Sequence, residues 1–112
     1  MASGARGGRY RAIGEKHPAV VAAYEALTAA CRDAGPLGAH DVALLKVAIS
    51  IGRCSWRSVH AHARKALEAG VSPEALRHLV LLSLPTIGLP ATLDAQKWIE
   101  EAIAEQDPPA GT

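Results

Sequence analysis

Apolar residues recur along this chain at intervals of three and four, and glycine or proline cuts each run: Gly35-Pro36, Gly52, Gly70, and Gly88 with Pro90. That rhythm marks amphipathic helices. No stretch alternates with the two-residue period of a half-buried strand. The chain has no Phe, and aromatics make up only 4% of it. Its core must therefore come from Leu, Val, Ile and Ala, of which Ala and Leu are strong helix formers. The expected fold class is all-α, a compact bundle of about five to six helices, in a chain long enough for one small domain.

The first helix is expected to begin near Pro18, with Val20, Tyr24, Leu27 and Cys31 on one apolar face. Cys31 then reads as a buried small hydrophobe. A second helix runs from Asp41 to about Ile51, turning Leu44, Leu45, Ala48 and Ile51 inward, with Gly52 as its breaker. A third runs from Ser55 to Ala69, with Val59, Ala63, Ala66 and Leu67 inward and Gly70 as terminator. The fourth has Ser72 as cap and Pro73 in its first position, and Pro85 interrupts it. The fifth covers about Ala91 to Glu105, with Leu93, Trp98, Ile99 and Ala102 on its apolar side. Residues 1–12 read as a flexible arm and 106–112 as a flexible tail, which leaves 13–105 as a single helical domain. The fourth helix carries Leu76, Leu79, Val80, Leu81, Leu82 and Leu84 and is apolar nearly all round in its second half. Such a helix needs burial on several sides, so contact with another subunit is expected.

Twelve basic residues face eleven acidic ones, a net charge of +1. No basic stripe is interleaved with aromatics, so no nucleic-acid partner is expected. No apolar run is long enough to span a membrane. The N-terminus lacks the apolar stretch of a secretory leader, and two cysteines build no disulfide framework, so the expected setting is cytoplasmic.

Chemistry concentrates between Ser55 and Val71. His60 and His62 lie two apart and point about 200° from each other on a helix. They cannot clamp one metal ion together, and neither a metal nor another cofactor is expected. His62 shares a helical face with Ser55, Ser58 and Val59, and Ser58, four residues earlier, is within hydrogen-bonding reach. Arg57 and Arg53 stand near the helix start, where they and the helix dipole can attract a carboxylate. Histidine exchanges protons near neutral pH and serves as acid or base. The plainer alternative is a partly buried His62 satisfied by Ser58. A Ser58–His62 hydrolase dyad lacks an orienting acid and the strained G-x-S-x-G turn. A helix start favours thiolate over thiol, which makes Cys54 a candidate redox residue reacting with peroxide.

These residues resemble the carboxymuconolactone decarboxylase family, which includes the alkylhydroperoxidase D-like proteins. The resemblance spans roughly residues 37–104. It is carried by His62-x-Arg64-x-Ala66-Leu67-x-x-Gly70-Val71-Ser72-Pro73-Glu74, then Leu76, Val80-Leu81-Leu82 and Ile87-Gly88-Leu89-Pro90-Ala91, and before them Leu44 to Ile49. It implies an all-helical fold of the alkylhydroperoxidase D-like type, assembled as a homotrimer or homohexamer. In the hydroperoxidase branch the motif is E-x-x-C-x-x-C-x-x-x-H. Here Gly52, Ser55 and Ser58 stand where that branch has Glu and its two Cys, and only His62 matches. The decarboxylase branch needs no thiol pair, but the Glu preceding its histidine is also absent. The resemblance implies decarboxylase-like chemistry on a small carboxylated molecule. The mechanism expected from these residues has Arg57 or Arg53 positioning the carboxylate, His62 or His60 managing the proton, and Ser55 and Ser58 hydrogen-bonding to the substrate or to the histidine. The alternatives are peroxidase activity through the lone Cys54, or a family member that binds small molecules or serves as a scaffold without catalysis.

Overall fold

Six helices follow one another in the computed structural model, which describes residues 8–106. No strand occurs among the described residues. Residues 8–12, read from sequence as the end of a flexible arm, are helical. The rest of that arm, and the expected tail beyond residue 106, lie outside the described residues. The helices fall into two units, within residues 1–38 and 39–112.

The first unit holds α1 (Gly8–Lys16) and α2 (Pro18–Asp33). Pro18 opens α2, where its missing N–H costs nothing. Tyr10 meets Tyr24 edge to face and donates its hydroxyl proton to Glu25 at 2.9 Å. The predicted inner face of α2 is not buried: Val20, Tyr24 and Leu27 are 59%, 52% and 59% exposed, and Cys31 is exposed rather than core. The less exposed positions of α2 are Val21, Thr28 and Ala29 instead, and a helical pair of this size encloses no interior.

The second unit is a four-helix arrangement of α3 (Ala39–Gly52), α4 (Trp56–Glu68), α5 (Pro73–Ile87) and α6 (Leu89–Gln106). α4 packs on α3 and α6, α6 on α5, and α5 on α3. The core is Val47, Ile51, Val59, Ala63, Ala66, Val71, Leu76, Val80, Ala95, Ile99 and Ala102. The alanines of α4 and α6 let those backbones approach closely, which suits a chain short of large aromatics. Two faces are rotated from expectation. In α3, Val47 and Ser50 are buried while Leu45 and Ala48 are exposed. In α6, Thr92 and Ala95 are buried and Leu93 is 52% exposed. In α5, Leu81 and Leu82 are 63% and 58% exposed.

Ser72 caps α5 as expected, its Oγ accepting from the Ala75 N–H at 3.0 Å. Pro85 does not interrupt the helix, which continues to Ile87 and stops at Gly88, φ +91°. Only two helical residues follow the proline, so its missing N–H weakens an end that is already closing. No helix among the described residues is long and apolar enough to cross a membrane.

Arg77 of α5 grips Glu100 of α6 with two N–H donors, at 2.8 and 3.1 Å. The hydrogen bond from Arg77 holds the Glu100 carboxyl below its ordinary value of 4.5, with partial desolvation opposing and the positive charge adding. A carboxyl lowered on folding stabilises the fold above its unfolded value, and the benefit disappears as pH falls through the folded value. Glu100→Gln should therefore lower the thermal midpoint at pH 7. Its curve should converge with the parent's below pH 4.5, as measured by melting across a pH series. In the core, Leu76 is fully buried, and Leu76→Ala should cost about 2–5 kcal/mol in urea unfolding.

Candidate functional site

The turn between α3 and α4 is built by one residue, Ser50. Its backbone carbonyl accepts from Ser55 N–H at 3.3 Å, while the Ile51 carbonyl accepts from Cys54 N–H at 2.9 Å. This pair of bonds is a Schellman cap, which needs a left-handed residue after the helix end. Cys54 supplies it with φ +54°, the sole non-glycine residue with positive φ among those described. The expectation that Gly52 breaks α3 is thus corrected: Gly52 is its last helical residue, and the reversal occurs at Cys54. The same cap closes α4, where Val71 N–H meets the Ala66 carbonyl at 2.9 Å and Gly70 N–H meets Leu67 at 3.1 Å. There the left-handed residue is Gly70, φ +98°.

Ser55 is the N-cap residue of α4, but its side chain makes no capping bond. Ser58, one turn into α4, lies 2.8 Å from the buried Ser50 hydroxyl. Ser50 already donates its single proton to the Lys46 carbonyl at 2.9 Å, so Ser58 is the donor in the pair. The Ser58 proton expected to reach His62 is committed to α3 instead. His62 is half-buried and engaged in an interaction of its own.

His60 lies on a different side of α4 and reaches α6. Its Nε2 is 2.9 Å from Glu101 Oε1, with the His60 side chain 19% exposed and that of Glu101 43%. The Trp56 ring stands edge to face against His60, with centroids 5.7 Å apart. The Arg57 guanidinium lies 4.7 Å from the Trp56 ring centroid, a cation–π contact. The structure therefore assembles Arg57, Trp56, His60 and Glu101 in one chain of contacts and Ser58 with Ser50 in another. Arg53 lies in the exposed turn after α3, and Cys54 beside it is a free, exposed thiol. Sequence reasoning missed Glu101 and Ser50. No local spacing links Glu101 to His60, 41 positions away. Ser50 carries a visible signal, a polar residue within an apolar helix four positions from Lys46. Among the described residues, no group of three or more His, Cys, Asp or Glu is placed to hold a metal ion.

The model of the carboxymuconolactone decarboxylase family matches residues 18–101. The chain belongs to that family. No curated protein and no solved structure matches it. Ser55 and Ser58 have different structural roles: Ser55 stands at the helix start, and Ser58 bonds α4 to α3.

A left-handed non-glycine residue costs about 1–2 kcal/mol, and glycine at such a site adds freedom to the unfolded chain. Cys54→Gly should therefore stabilise the protein by about 0.5–1 kcal/mol, and Cys54→Ser should not. Thermal unfolding of the two variants beside the parent checks this.

Proposed function

We propose that this chain carries out decarboxylase-like chemistry on a small carboxylated molecule, with His60 and Glu101 as its proton-carrying pair. The observation that supports this is the 2.9 Å contact between His60 Nε2 and Glu101 Oε1, joining α4 to α6. A carboxylate on one imidazole nitrogen fixes the ring's orientation, leaving the other nitrogen to exchange a proton. Glu101 then does from α6 what the acid absent at Gly52 would do. His62, at the position of the family's motif histidine, is the second proton-handling residue.

In the reaction, the bond from the substrate carbon to its carboxylate breaks and carbon dioxide leaves. The electron pair passes into the adjoining carbonyl as an enolate. Protonated His60 then gives its Nδ1 proton to the carbon, while its Nε2–H stays on Glu101. A guanidinium closed on the departing carboxylate would stabilise the ground state more than the transition state. Arg57 is better used on the carbonyl oxygen that gains charge. Trp56 contacts Arg57 over its ring face and meets the His60 ring in a T-shaped pair, setting the spacing of cation and proton donor. Arg53 and Ser55 are available to other polar groups of the substrate. The Ser58 oxygen can accept a hydrogen bond from it, since the Ser58 proton goes to Ser50.

Carbon dioxide release from carboxymuconolactone tests the reading. His60→Gln should lower kcat by about 10²–10⁴-fold. Glu101→Gln should lower kcat by about 10-fold or more with KM little changed, since it acts through the histidine and makes no substrate contact. Full turnover by folded His60→Gln would remove His60 from the mechanism, and no release by the parent protein would reject decarboxylation of this compound.

A further inference from the structure

Two successive carboxylates of α6 bind two different helices. Glu101 meets His60 of α4 at 2.9 Å. Glu100, the residue before it, accepts two hydrogen bonds from Arg77 of α5, at 2.8 and 3.1 Å. Successive residues leave a helix about 100° apart, so the two carboxylates serve different neighbours at one level of α6. We propose that Arg77 is a positioning residue for the proton-carrying pair: through Glu100 it fixes the rotation of α6 and so keeps Glu101 on His60. The inference rests on the reading of His60 and Glu101 as that pair.

Packing alone leaves that rotation weakly held. The buried residues of α6 are Thr92, Ala95, Ile99 and Ala102. On either side of Ile99 the core contacts are alanines, whose shallow ridges resist turning little. Toward α5 the seam is open: a groove of about 380 Å³ lies between the two helices, with Arg77 and Glu100 in its lining. Leu81 of α5 and Leu93 of α6, also on that groove, remain 63% and 52% exposed. The Arg77–Glu100 bond thus spans a seam that apolar side chains do not close. A guanidinium is suited to this task, because its planar fork fixes direction as well as distance. Glu74, one turn earlier on α5, lies 3.7 Å from the same guanidinium and steadies it from its own helix.

Small rotations matter here. A side-chain tip lies about 6 Å from the helix axis, so a turn of roughly 10° moves it by roughly 1 Å. The 2.9 Å bond between His60 and Glu101, lengthened by that much, is broken. The plainer role for Arg77 is that of a surface ion pair. Its side chain and that of Glu100 are 46% and 45% exposed, and such pairs add little stability. Both roles allow a small change in melting when Arg77 is replaced. Only the positioning role also requires a change at the His60 ring, on the far side of α6.

The test is the tautomer of the neutral His60 ring, read by nitrogen-15 NMR on the full chain without substrate. Circular dichroism verifies that each variant is folded. In the parent, Glu101 should hold the ring as the Nε2–H tautomer. In Arg77→Gln and in Glu100→Gln the ring should become a mixture of both tautomers. Carbon dioxide release from carboxymuconolactone should fall by about 10-fold or more in the same variants. In a Glu101→Gln background, Arg77→Gln should lower turnover no further, because its effect passes through Glu101. A mixed tautomer in the parent, or an Nε2–H tautomer kept in folded Arg77→Gln, would overturn the proposal. So would an equal loss of turnover from Arg77→Gln with and without Glu101→Gln. A parent that releases no carbon dioxide rejects the decarboxylation reading, while the tautomer still decides the role of Arg77.

Discussion

The α3–α4 reversal depends on Ser50. This one buried residue uses its carbonyl to close the cap over α3, its hydroxyl proton to bond back to Lys46, and its hydroxyl oxygen to accept from Ser58. Those bonds set where α3 ends and hold α4 against it. Because α4 also packs on α6, fixing it against α3 fixes the side chains that α4 presents to α6, His60 among them. A polar residue in a core helix is costly unless every polar atom finds a partner. Ser50 meets that requirement and orders the turn in the process.

The readable parts of the sequence were those governed by local backbone rules. Ser72-Pro73 and Gly70 announced the end of α4 and the start of α5 because a cap and a left-handed terminator are properties of a few consecutive residues. Cys54 escaped the same reading because a non-glycine residue gives no warning that it will adopt positive φ. Ala and Val spread the apolar signal of α3 and α6 around the helix, so the pattern showed helices without fixing their rotation. Val47 and Ala95 took core places assigned to Leu45 and Leu93. In α2 the predicted stripe of Val20, Tyr24, Leu27 and Cys31 is exposed, because periodicity says nothing about what covers a helix face.

The site was legible only in part, for a related reason. Helical spacing put Ser58 and His62 on one face and suggested a bond between them. The acceptor of the Ser58 proton lies eight residues back on another helix, a tertiary contact that spacing does not contain. The Glu101 partner of His60 reads in sequence as one of several acidic residues on a solvated face. What makes it chemically distinct is the packing of α6 on α4, which short-range patterns do not contain.

The exchange of sulfur for oxygen in this motif bears on how the family fold can host different chemistry. A thiol pair acts through its own sulfur atoms and needs them exposed to each other. A serine at the second position is a poor nucleophile without an adjacent base, but its O–H forms a short, directional bond that a thiol makes only weakly. Here that bond goes to Ser50 and stiffens α4. Any reaction at this place must then use groups that the rigid helix can aim. The imidazole of His60, braced by Glu101 on one side and by the Trp56 ring on another, is such a group. Structural use of the serine is therefore compatible with the proton transfer proposed for the histidine. An imidazole that moves protons would gain from being held to within a fraction of an ångström, and the hydrogen bond of Ser58 helps tie its helix to α3.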